Sequence, residues 1–137
     1  MELSPSSSIT VGAVLLTVIA VGYGGTFLLS LVTGRAQAND LQKSFYRAGH
    51  AHAGVLITLG LVVLIVTSSD GVPGWAHSLA SGVLYAAILI PAGFFLSVIG
   101  NDPKRPNKLI ILLWLGAASL TVGLVSAGVG LIMAGTS

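Results

Sequence analysis

Residues 109–134 read LIILLWLGAASLTVGLVSAGVGLIMA, without one charged side chain. A helix rises about 1.5 Å per residue and the hydrocarbon core of a bilayer is about 30 Å thick, so about 20 such residues cross it. The run exceeds that length. It is continuous rather than alternating, which argues against a strand of a membrane barrel. This stretch is written for lipid.

Three more stretches qualify, at residues 9–33, 45–67 and 75–99. The second is apolar from Ala48 and has a polar helical lead-in from Asp40. The expected fold is therefore all-α: an integral membrane four-helix bundle with up-down topology, one transmembrane domain over residues 1–137. Composition agrees. Hydrophobic residues make up 54% and charged residues 7%, and the mean hydropathy is +0.96. Soluble domains carry roughly 25% charged residues, and a disordered chain would be far less apolar. The chain has no cysteine, which excludes disulfides, iron–sulfur clusters, thiolate zinc sites and a thiol nucleophile. A net charge of +2 gives no reason to expect nucleic acid as a partner.

The N-terminal stretch has Glu2 where a secretory signal carries basic residues, and its apolar run is too long for a signal core. Ala36-Gln37-Ala38 has the look of a cleavage site, but a retained span is expected. The six basic residues fall in two places: Arg35, Lys43 and Arg47 in or beside the first connection, Lys104, Arg105 and Lys108 in or beside the third. Lysine and arginine mark the cytoplasmic side. Both termini are expected outside, in the plasma membrane of a bacterium.

The halves echo one another. Phe27-Leu28-Leu29-Ser30 and Phe94-Phe95-Leu96-Ser97 close the first and third spans, and Asn39-Asp40 and Asn101-Asp102 follow them. Thr58-Leu59-Gly60 is echoed by Thr121-Val122-Gly123. Two repeated hairpins of one orientation are one reading, chance similarity between apolar helices the other. Small residues four apart let backbones approach closely in lipid. Ala20 and Gly24 form one such pair, Gly49 and Ala53 another. The last span carries two stripes, Ser119, Gly123 and Ala127 and, beside it, Ser126, Gly130 and Ala134. Two stripes exceed what one neighbour requires, so self-association or docking stands beside internal packing as an expectation. Pro91 predicts a bend in the third span. Phe45, Tyr46 and Trp75 read as interfacial anchors, and Trp114 as anchor or packing residue.

Chemistry rests on three histidines. The densest constellation is Arg47-Ala48-Gly49-His50-Ala51-His52-Ala53-Gly54. Arg47 and His50 share a helix face, whereas His50 and His52 lie about 200° apart at 3.6 residues per turn and serve opposite sides. His77 belongs to the far end of the bundle, about 25 Å from His50 at 1.5 Å per residue.

His50-Ala-His52-Ala-Gly-Val55-Leu56 through Gly60 resembles the haem-ligating helix of subunit I of haem–copper oxidases, whose two histidines serve haems on opposite faces. The resemblance covers this short segment and needs one extra residue before Val55; the family's other histidine ligands have no counterparts in the chain. It implies haem b as the cofactor to consider, with His50, His52 and Arg47 as the candidate binding residues. Arg47-Ala48 before a histidine is also similar to the second helix of membrane-bound glutathione transferases, but Ala53 and Gly54 stand where that family has asparagine and glutamate.

No nucleophile, base and orienting group converge in the sequence, and Glu2, Asp40, Asp70 and Asp102 lie outside the apolar spans. The leading expectation is a non-catalytic scaffold or accessory subunit that self-associates or docks in a larger membrane complex. The alternatives are a haem b or metal-binding protein using His50 and His52, and a small channel or carrier near Pro91.

Overall fold

A computed structural model describes residues 3–136. Four helical spans form a bundle: α1 (Pro5–Val32), α2 (Asp40–Thr67), a third span made of α3 (Gly74–Ala80) and α4 (Gly82–Ser97), and α5 (Ile111–Gly135). A 3-10 turn, Lys108–Ile110, leads into α5. No strand occurs among the described residues.

The ends follow from local chemistry. Ser4 caps α1, accepting a hydrogen bond from the Ser7 amide, with Pro5 in the first turn, where a missing N–H has no consequence. Asn39 and Gln42 close a reciprocal capping box on α2, so this helix starts at Asp40 as its polar lead-in suggests. Gly34 and Gly100, at corresponding points after the first and third spans, both have positive φ, +74° and +126°, the region that glycine enters without a steric penalty.

The third span is the departure from one uninterrupted rod over residues 75–99. It breaks at Ser81, and its helix ends at Ser97. At this break α5 approaches closely. A methyl group on Gly82 would stand 2.7 Å from the Ser119 carbonyl oxygen, and the Ser119 hydroxyl donates to the Gly82 carbonyl at 2.8 Å. The interruption lies at Ser81, whereas Pro91 is buried within an unbroken α4.

α4 lies at the centre, against α2 on one side and α5 on the other, while α3 rests on α5 and α1 packs chiefly against α2. The core is built of small and branched side chains in two groups: Leu56, Ala86, Ala87 and Ile90, and Val63, Ala80, Val83 and Ala127. Large apolar residues cover the outside, among them Leu16, Ile19, Ile88 and Ile132. Such a surface is unfavourable in water and ordinary in lipid.

The small residues find definite neighbours. Gly49 and Ala53 are buried, and a methyl on Gly49 would reach 2.9 Å from the Phe95 ring. On α5, Gly123 meets Val83 of α4, while Gly130 meets Ala76 of α3. The two stripes thus serve the two pieces of the broken span. Gly24 faces His50, and Ala20, its sequence partner, is exposed.

Candidate functional site

The three histidines occupy three surroundings. His50 is half-buried where α2 meets α1. A methyl on Gly24 would lie 3.6 Å from its Nδ1, and one on Gly25 3.7 Å from its Nε2. The imidazole thus lies along paired glycines of α1, and no hydrogen-bonding partner meets it among the described residues. Arg47, three residues earlier, is exposed and meets no carboxylate among them.

His52 points to the other side of α2, as the 3.6-residue period demands. Its Nδ1 lies 2.8 Å from the Ala48 carbonyl. A carbonyl only accepts, so Nδ1 is the donor. Its ring lies 5.1 Å from that of Phe94.

His77 Nδ1 is 3.0 Å from the Thr67 hydroxyl, which itself donates to the Val63 carbonyl at 2.8 Å. With the hydroxyl proton spent there, His77 donates through Nδ1. Thr67 ends α2, so His77 and His50 sit at opposite ends of the bundle. Among the described residues no group of three or more histidine, aspartate, glutamate or cysteine side chains could hold a metal ion. His50 and His52 can each offer one ligand, to separate neighbours.

The densest polar constellation is elsewhere, between the first and third connections. The Asn39 side-chain amide donates to Asp102 Oδ1 and to the Pro103 carbonyl, both at 2.8 Å. Gln42, buried, donates to the carbonyls of Val98 at 3.1 Å and Gly100 at 3.0 Å. Asp102, at φ +52°, also receives Lys104 Nζ at 2.5 Å. The Lys104 hydrogen bond, then that from Asn39, holds its carboxyl below the usual carboxylate range.

The Asn-Asp pairs of the two halves therefore meet, Asn39 of one against Asp102 of the other. In the sequence Asn39 stands out only as part of the echo between the halves, and Gln42 does not stand out at all. The signal was there: an asparagine three residues before a glutamine, at the head of a helix, is a capping-box pattern.

Beneath this knot lies an aromatic layer. Phe27 meets Tyr46 edge-on at 5.5 Å, Tyr46 stacks on Phe95 at 5.6 Å, and Phe45 meets Phe94 edge-on at 5.6 Å. Phe45 and Tyr46 thus tie helices together as well as marking a rim. Trp75 and Trp114 are exposed and face outward.

Near Pro91, Gly116 fits against Ile90 and Gly93 against Leu113, so α4 and α5 are closely apposed there. Compared with known protein families, curated proteins and solved structures, the chain matches none, and its function is read from its own geometry.

Proposed function

We propose that the protein is a non-catalytic membrane subunit that associates through α1, with a second copy or with a helix of a larger membrane complex. The observation that carries the reading is how little of α1 the chain itself covers. Of its most apolar stretch 6% is buried, against 39% for the second and third spans. Its outward face brings Gly22, Thr26 and Ser30 into line four residues apart, and a methyl on Gly22 would meet nothing within 4 Å. The Thr26 and Ser30 hydroxyls donate to carbonyls of their own helix, so the line is polar-satisfied, with Ile19 and Tyr23 exposed beside it. Close backbone approach of that kind is how helices associate in lipid. The membrane proposed is a bacterial plasma membrane, with both termini extracytoplasmic.

The absence of native cysteine makes the test clean. A Thr26→Cys variant is expected to cross-link in native membranes, to itself or to a co-purifying subunit, whereas Gly128→Cys on the outer face of α5 is expected to remain single. A chain that stays monomeric and uncross-linked both in membranes and in mild detergent would overturn the reading.

A further inference from the structure

The outward side of α2, away from α4, carries a groove of about 630 Å³ whose lining includes His50, Ala51, Gly54, Val55, Thr58 and Val62. With Arg47 above them, these residues follow three- and four-residue steps along one side of the helix. The floor is low because Ala51 and Gly54 are small; a methyl on Gly54 would meet nothing within 4 Å. It is also apolar, since the Thr58 hydroxyl is spent on the Gly54 carbonyl at 3.0 Å. Val55 and Val62, both exposed, stand along one flank of it.

The two ends differ in character. At one stand the Arg47 guanidinium, without a carboxylate among the described residues, and the His50 imidazole. The other end is aliphatic. From His50 to Val62 the helix advances about 18 Å, close to the roughly 15 Å depth of one leaflet's hydrocarbon.

We propose that this groove binds one anionic phospholipid of the leaflet on the basic side, with its phosphate between Arg47 and His50 and one acyl chain along the Ala51–Gly54 floor. Charge decides between occupants. A second apolar helix laid here would bury the guanidinium with no counter-charge, which is expensive. A phospholipid brings the anion and the hydrocarbon together, in the same order along the membrane normal as the groove presents them. The site is independent of the α1 face proposed for association.

The test is native mass spectrometry of the full chain from mild detergent, after exchange into mixed phosphatidylglycerol and phosphatidylcholine. One phosphatidylglycerol per chain is expected to survive delipidation, with about a fivefold preference, the worth of one basic side chain at an anionic surface. Arg47→Gln should bring the preference close to parity. Gly54→Leu, which fills the groove where no protein atom stands, should release the lipid whatever its headgroup. Millimolar inorganic phosphate should leave the bound lipid in place.

Retention that both variants leave unchanged means an ordinary annular lipid and overturns the proposal. So does displacement by phosphate alone, or a Gly54→Leu variant that changes oligomeric state rather than lipid content. The Thr26→Cys cross-link reads α1 alone, so either proposal can fail without the other.

Discussion

Gly49 shows what a single missing side chain does in this molecule. Its hydrogen lies against Phe94 and Phe95, with hypothetical methyl contacts of 2.9 to 3.1 Å, and the neighbouring aromatic pairs hold those rings in place. Gly49→Val should therefore destabilise by about 1–3 kcal/mol, the usual range for an overfilled contact, read as a lower melting temperature in detergent. Asn39→Ala removes a helix cap and two inter-connection hydrogen bonds; at about 1 kcal/mol for the cap and about 1 for the bonds, a loss of about 2 kcal/mol is expected. Asp102 adds a pH signature. Its carboxyl titrates below the ordinary value of 3.8, so its contribution is present above that pH and disappears as the pH falls through the lowered value. Asp102→Asn should flatten the acid limb of a melting-temperature profile and leave the neutral region little altered. The glycine pattern was legible in the sequence, but not its partner. Spacing says that a backbone can be approached, and only the fold says by which ring.

At the scale of the helix, α5 is the instructive case. Its two small-residue stripes, Ser119–Gly123–Ala127 and Ser126–Gly130–Ala134, looked like more than one neighbour could use. The chain uses both, because the third span is two helices that meet at Ser81, with Val83 of α4 against Gly123 and Ala76 of α3 against Gly130. The break was hard to foresee, since Ala80-Ser81-Gly82 is compatible with a continuous membrane helix and acquires its meaning only when Ser119 presses on Gly82. A paired substitution checks the assignment. Gly123→Ile should unfold at markedly lower temperature, since a methyl there already stands 2.7 Å from the Val83 amide nitrogen, while Gly128→Ile, with nothing within 4 Å, should be near neutral. The histidine pair was fully legible by contrast: two residues apart on a helix forces opposite sides, and His50 and His52 face α1 and Phe94 respectively. What each ring rests on was not, because that depends on the crossing of α1 over α2.

For the whole molecule, length and hydropathy sufficed to give four spans and their alternation, since lipid leaves a chain so few options. The unequal burial of the spans was invisible to the same reasoning, because an apolar face reads alike whether it meets a neighbour or lipid. The orientation inferred from lysine and arginine is open to direct test in this cysteine-free chain. Thr136→Cys should react with an impermeant thiol reagent on intact cells, and Asn101→Cys only after permeabilisation; the reverse pattern would invert the molecule. On that orientation the bond between Asn39 and Asp102 has a consequence for assembly. The amide and carboxylate that join the two hairpins stay on the aqueous side on which the polypeptide is synthesised. On the same orientation Asp70 and the N-terminal tail make the crossing, while the seam that ties hairpin to hairpin is sewn on the ribosome's side.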